Sequence, residues 1–401
     1  MTLPKLSLRS VLLPGLLGLA ATATHAQSRD NAITTAVPIL TISPDSRSSA
    51  LGEAGVAISP DANAGYYNPG KLGFVRYQHS AAVSYTPWLA SISNDMGLAY
   101  LSGTSKIGER ATLSANLMYF DLGQIEYRTA NNQSNGTFNP KEYALTIGYG
   151  QKLSDKFGVG INARYIRSNL TGGAANVDSN PANAIAVDLG AYYNTDLSIG
   201  TGDYGLAFGA AVSNIGNKIT YTDPNRADFL PTNLKLGTAI TKELDAYNKI
   251  TLTVDANKLL VPTPYYDKND PTDNRQAPAV VAENEKRAGY GIVRGITSSF
   301  SDAPGGFSEE LKEINLSAGA EYVYNDLLMV RAGYFYENPN KGARQYLSFG
   351  AGVRYQVFGI DGTYLVPNSR NNPLSQTLRV SLHFNFNELS EAFGSSDSPT
   401  N

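Results

Sequence analysis

The stretch Leu347-Ser348-Phe349-Gly350-Ala351-Gly352-Val353-Arg354-Tyr355-Gln356-Val357 decides the fold, because apolar and polar residues change places at every step. Strand side chains point to opposite faces every second residue. Leu347, Phe349, Ala351, Val353, Tyr355 and Val357 therefore share one face, and Ser348, Gly350, Gly352, Arg354 and Gln356 the other. The next segment repeats the pattern: Leu378, Val380, Leu382, Phe384 and Phe386 alternate with Arg379, Ser381, His383, Asn385 and Asn387. One face suits lipid and the other water, over the roughly nine to eleven residues that a strand needs to cross a bilayer.

Working outward, similar segments stand near 78–86, 95–102, 111–120, 142–152, 157–168, 184–194, 204–214, 232–242, 248–258, 314–324, 328–336, 346–357, 359–366 and 377–387. The connections after odd-numbered segments include 121–139, 169–183, 213–231, 259–313 and 367–376, all long and rich in Asn, Gly, Asp or Pro. Those after even-numbered segments include 153–156, 325–326 and 358, and are mostly tight. An even strand count with alternating long and short connections predicts an all-β protein, a fourteen-stranded antiparallel transmembrane β-barrel. It also predicts extracellular long loops and both termini in the periplasm. A soluble sandwich has no reason to keep every second connection short.

Composition agrees. The 401 residues include 25 Tyr, one Trp, 38 Gly and no Cys. A mean hydropathy of -0.23 is too hydrophilic for a helical membrane protein, but it fits strands that are half polar and half apolar. A net charge of -3 gives no electrostatic footprint for nucleic acid, and the lack of Cys excludes disulfides and thiolate metal sites. Lys5 and Arg9 precede an apolar stretch from Val11 to Ala23 and then Thr24-His25-Ala26, which predicts a signal peptide over 1–26. No later stretch approaches the length of a spanning helix, so an exported chain of this kind enters a membrane as a barrel. No linker divides the strand series. The expected organisation is an N-terminal hatch or plug over 27–77, a barrel over 78–387 and a periplasmic tail over 388–401. Within the hatch, Ser59-Pro60-Asp61-Ala62-Asn63-Ala64 predicts a short helix capped by Ser59 and stopped by Asn68-Pro69.

The residues offer little chemistry. Beyond the signal peptide only His79 and His383 remain, on the first and last strands, which are neighbours in a closed barrel and have Ser381 and Asp255 as polar company. No nucleophile elbow or zinc spacing accompanies them, so no catalytic residue and no cofactor is expected. Asp267, Asn269, Asp270 and Asp273 crowd the longest connection, but Pro271 breaks the calcium-loop pattern and its turn glycine is missing; a solvated acidic loop without metal is expected. Arg164, Asp188, Lys235, Asp255, Glu321, Arg331, Arg354 and Arg379 fall on inward positions. They either line a water path or grip a peptide carboxylate, or they pair with one another inside a filled barrel. Tyr100, Tyr119, Tyr149, Tyr165, Tyr322 and Tyr336 fall near strand ends on the outer side, as an aromatic girdle does.

The 259–313 connection is the expected binding element, because structureless loops of that length are rare unless they bind or cover something. A helix is predicted over 283–294 and another from Phe307 through Leu311 into the strand at Ile314. Tyr265, Tyr266, Phe300 and Phe307 would be poorly placed on a merely solvated loop, and with Trp88 in the first long connection they are the candidate cargo or partner contacts.

A hatch containing Asn-Pro-Ala before a fourteen-stranded barrel resembles the FadL family of outer-membrane transporters for hydrophobic compounds. Here the motif stands as Asn68-Pro69-Gly70, so its third position departs. A closer resemblance runs through almost the whole mature chain. The runs Ala32-Ile33-Thr34-Thr35-Ala36-Val37-Pro38, Ser43-Pro44-Asp45-Ser46-Arg47-Ser48, Ser84-Tyr85-Thr86-Pro87-Trp88-Leu89, Leu260-Val261-Pro262-Thr263-Pro264 and Asp302-Ala303-Pro304-Gly305-Gly306-Phe307 are similar to the PorV family, FadL-like barrels of the type IX secretion system in Bacteroidetes. The resemblance implies a non-enzymatic outer-membrane protein that binds secreted cargo through its C-terminal signal domain, associates with the SprA/Sov translocon and joins PorU, PorZ and PorQ in surface attachment. PorV-like proteins have also been linked to lipid A deacylation, for which these residues offer no site. The alternative is FadL-type transport of hydrophobic small molecules. That needs an apolar pocket leading to an exit, whereas a cargo shuttle needs an exposed rim.

Overall fold

Dyad alternation puts one face of each strand in lipid and the other in a lumen, and backbone groups in lipid must all be paired, so the sheet has to close. The computed structural model describes residues 31–89, 93–128, 131–170, 180–200, 202–221, 227–368 and 377–387; the expected signal peptide and C-terminal tail lie outside the described residues. Fourteen strands form the barrel: β1 (His79–Pro87), β2 (Met96–Ile107), β3 (Ala111–Leu122), β4 (Lys141–Lys152), β5 (Phe157–Asn169), β6 (Ala182–Ile199), β7 (Gly202–Gly216), β8 (Asn233–Glu243), β9 (Asn248–Leu259), β10 (Ile314–Tyr324), β11 (Leu328–Tyr336), β12 (Gln345–Tyr355), β13 (Phe358–Pro367) and β14 (Leu378–Phe386). Each is antiparallel to its neighbours, and β1 pairs β14 with Ala82 opposite His383, which closes the ring.

Each of the fourteen segments expected from sequence meets one of these strands. Three details differ. β6 runs on to Ile199, the connection after β3 contains a small hairpin of Ile125–Arg128 with Ser134–Phe138, and the alternation after Tyr355 stops because Gln356 turns the chain in a left-handed conformation, φ 53°. The outward face is apolar, with Ile147, Leu252, Phe349, Ile360 and Leu382 exposed, while Thr146, Thr253, Ser348, Asp361 and Ser381 on the same strands are buried inside. Tyr149, Tyr165 and Tyr322 point outward, but Tyr100 does not. It is buried beside Tyr66, ring centroids 5.8 Å apart, because apolar hatch residues such as Leu40 and Tyr66 fill that part of the lumen.

The hatch threads the lumen from one end to the other. Asn31 starts at the long-connection end, where its N–H donates to the Asn340 carbonyl at 2.8 Å, and Ala36 donates to the Phe229 carbonyl. Helix α1 (Ser46–Ala50) lies against β13 and β14, with Ser46 N–H on Ser381 Oγ at 2.9 Å and Thr363 Oγ1 donating to the Ser46 carbonyl at 2.6 Å. Gly55 and Val56 donate to Asp255 Oδ2 on β9. By Arg76 the chain has reached the short-turn end, where Lys106 Nζ donates to the Arg76 carbonyl at 2.9 Å. Glycines let backbone lie on backbone. A Cβ at Gly333 would collide with Gly52 and Leu51, and one at Gly160 with Pro69.

One expectation changes here. The short helix is α2 (Ala64–Tyr67) rather than one starting at Ser59, because Arg47 binds the Ser59 carbonyl and hydroxyl, and Asp61 accepts the Asn63 N–H. The two ends of the described chain also lie apart. Asn387 accepts from the Gln78 N–H at the short-turn end, whereas Asn31 is at the long-connection end.

The hatch is held by charge as well as shape. Arg47 binds both oxygens of Glu321 on β10, at 3.0 and 2.9 Å. Glu321→Ala is expected to leave Arg47 and Arg331 buried without that partner and to cost about 3–5 kcal/mol, seen as a lower midpoint of heat-induced or denaturant unfolding in detergent. Glu243→Ala, which breaks an exposed pair with Lys249 at 3.5 Å, should leave the midpoint unchanged. Equal effects would contradict the anchoring.

Candidate functional site

Two charged groups of the lumen are already spoken for by the protein itself. A chain of ion pairs runs Asp61–Arg47–Glu321–Arg331–Asp361, at 3.1, 2.9, 2.7 and 2.8 Å, and ends where Asp361 also takes Arg354 at 2.6 Å and His383 Nε2 at 2.7 Å. A second centre stands on β5 to β7. Arg164 Nη2 pairs with Asp188 at 2.8 Å, Asn162 bridges Asp188 and the Gly65 carbonyl, and Asp188 Oδ1 accepts from Asn214, a left-handed residue at a bulge between β6 and β7. Arg379 donates to the Ser43 carbonyl and Ser49 Oγ of the hatch. Lys235 lies over the faces of Tyr66 and Tyr67, 5.3 and 5.9 Å from their centroids. Of the inward charges, Arg164 and Asp188 pair with each other and Glu321, Arg331 and Arg354 pair within the first chain, whereas Lys235, Asp255 and Arg379 meet groups of the hatch.

The histidines are not brought together. His383 sits on Asp361 in the lumen, and His79 is three positions along β1 from the residue facing His383, with Nδ1 3.1 Å from Ser105 Oγ. The acidic residues of the long connection turn their carboxylates on their own backbone: Asp267 Oδ1 accepts from Asn269 N–H and Asp270 Oδ1 from Thr272 N–H.

The hatch motif is a wall contact. Asn68 Oδ1 accepts from the Gly70 N–H at 2.9 Å, while its Nδ2 donates to the carbonyls of Ala191 on β6 and Val56, at 2.9 and 3.2 Å. A Cβ at Gly70 would stand 2.8 Å from the Ala191 backbone, so only glycine lets the chain approach the wall this closely. On the other side of the wall, Ile161, Leu189, Ala191, Ala210, Val212 and Leu234 line an apolar recess of about 570 Å³.

The rim at the long-connection end is built on the 259–313 connection. Where one helix was expected over 283–294, Gly289 and Gly291 separate α3 (Pro278–Ala288) from α4 (Ile292–Ser298), and α5 (Phe307–Glu310) leads through a turn of 3-10 helix into β10. A buried clasp ties it down. Lys258 pairs with Glu310 and Glu313 at 2.9 and 2.5 Å, and Lys341 with Glu309 and Glu313 at 2.6 and 2.9 Å. Arg287 donates to the carbonyls of Thr263 and Asp302, fixing α3 across the base of the connection. The clasp had no sequence signal, because its partners lie about fifty residues or more apart along the chain except for Lys341, which follows at some thirty.

The candidate contact residues divide. Tyr265 exchanges backbone bonds with the Asn284 side chain and stacks on Arg287, Tyr266 donates to Glu309 Oε2 at 2.9 Å, and Trp88 packs edge-on against Phe120. All three serve the protein's own packing. Phe300 and Phe307 remain 52% and 75% exposed, together with Val293 at 75% and Leu311 at 51%.

Burial pushes the Glu309 carboxyl up, but Lys341, the Asn31 amide and the Gly305 N–H overcome it and leave its pKa lowered to about 2. A depressed carboxyl pKa contributes stability above its unfolded value, near 4.3, and loses it as pH falls toward the folded value. Hydrogen exchange over 259–313, corrected for intrinsic rate, should therefore stay slow from pH 7 to 5 and accelerate below about 4.5. Acceleration already between pH 7 and 5 would contradict the clasp.

The chain is similar to several solved barrels at low identity. The chain is similar to the Pseudomonas putida toluene transporter TodX (12% identity, 89% of this chain and 100% of that one, TM-score 0.47) and to the Ralstonia pickettii toluene transporter TbuX (13%, 85% and 98%, 0.44). It is also similar to a Pseudomonas aeruginosa FadL homologue (10%, 89% and 100%, 0.40). No curated protein sequence matches it. The family profile described as type IX secretion system protein PorV matches residues 24–266. With well over half of its length matched by that profile, and a closed fourteen-stranded barrel to carry it, this chain belongs to the PorV family of type IX secretion system proteins of the outer membrane.

Proposed function

We propose that this chain is a non-enzymatic cargo-binding shuttle of type IX secretion, with its long connections on the cell surface. It would take cargo bearing a C-terminal signal domain from the SprA/Sov translocon to the attachment complex of PorU, PorZ and PorQ. The observation that carries the reading is the exposed apolar set Phe300, Phe307, Val293 and Leu311 on a connection clasped by buried ion pairs. Exposed apolar side chains on a fixed scaffold suit a protein partner, because interface energy concentrates in a few aromatic or apolar anchors and little is lost in ordering them. The same filled lumen argues against a route for solutes: hatch and wall are joined by hydrogen bonds and ion pairs from Asn31 to Arg76. Hydrophobic transport keeps one supporting observation, the apolar recess outside Ala191, directly behind Asn68.

Phe300→Ala with Phe307→Ala is expected to reduce co-purification of signal-domain cargo from detergent-solubilised membranes roughly tenfold or more, while the barrel remains folded and heat-modifiable in the outer membrane. Undiminished capture of cargo by the double variant would contradict the rim reading.

A further inference from the structure

We propose that the mature N-terminus of this chain emerges beside the clasped connection, on the same face as the long loops, so that the hatch is threaded from that face down to the short-turn face. Asn31 is 3% exposed, and its N–H and both polar atoms of its side chain are bonded. Its N–H donates to the Asn340 carbonyl at 2.8 Å, and its Nδ2 donates to the Pro264 carbonyl at 3.0 Å and to Glu309 Oε1 at 2.9 Å. Its Oδ1 accepts from Arg275 Nη1 at 3.1 Å. A segment tied down by this many bonds is held in place rather than frayed. The strap that follows, Ala32 to Thr41, roofs a chamber of about 390 Å³ walled by Asn233, Asn257, Asn315 and Phe335, and it leads down into the lumen.

Length does the rest. With signal cleavage after Ala26, residues 27–30 precede Asn31. Fully extended they reach about 14 Å at roughly 3.5 Å each, about half of a hydrocarbon core of about 30 Å. They cannot return the N-terminus to the opposite face, and the lumen route is filled by the hatch itself. The N-terminal segment is therefore a strap that joins the 259–313 connection to the 337–344 connection.

Two measurements test this, one of which does not depend on which face is extracellular. The chain has no native cysteine, so Asn31→Cys with Asn340→Cys gives a clean pair across a backbone hydrogen bond. Oxidation should produce a cross-linked species of altered mobility in the folded protein, and Asn31→Cys with Asp326→Cys, at the short-turn end, should not. A cross-link only in the second pair would overturn the inference. An epitope inserted between Ser28 and Arg29 should be bound by antibody on intact cells whenever one inserted at Asn269 is. An Asn269 epitope reached on intact cells with the Ser28 epitope reached only after permeabilisation would overturn it as well. If both epitopes are hidden while the 31–340 pair cross-links, the surface assignment of the long loops fails and the threading stands.

Discussion

Arg47 reaches from the hatch into the wall of the barrel, where Glu321 takes two of its nitrogens and passes the charge on to Arg331 and Asp361. A closed sheet removes the edge problem but creates another, because its inward face is polar and enclosed. Buried charges persist only when paired and hydrogen-bonded. The barrel meets that condition by bringing its own N-terminal segment inside, so Ser43, Ser46, Gly55, Val56 and Gly65 supply the partners that inward residues of the wall lack. Removing the hatch would strand Asp255 and Arg379 and leave Glu321 with Arg331 alone.

With the interior committed to its own structure, the proposed function falls to the rim. The rim at the long-connection end carries exposed apolar side chains, and the same connection holds Glu309, Glu310 and Glu313 in a buried network with Lys258 and Lys341. The network also joins elements far apart in sequence. Lys258 stands near the end of β9, the glutamates precede β10, and Lys341 lies between β11 and β12, so the connection is tied to its own two strands and to the β11–β12 connection.

Strand number, order and the in-out phase of most strands were legible because a period of two survives wherever one face meets lipid and the other a polar lumen. Tyr100 shows where the rule stops. Its strand keeps the alternation, but the hatch makes that part of the lumen apolar, and apolarity alone then misassigns the face. The hatch had no period to read; its course is set by contacts with Gly160, Gly190, Gly209, Gly319 and Gly333 and by carboxylates on distant strands. Tyr265, Tyr266 and Trp88 looked like contact residues because aromatic residues in long loops need burial. Arg287, Glu309 and Phe120 meet these three from within the chain, while Phe300 and Phe307 stay exposed.

A barrel that works by its rim while its hatch stays fixed in the lumen should be electrically silent. Single-channel recording of the purified, full-length mature protein in a planar bilayer at neutral pH tests this most directly. The account predicts a flat baseline across both signs of applied potential, since the ion-paired hatch occupies the lumen from the Asn31 strap to Arg76. A steady ohmic conductance in the intact protein would contradict it.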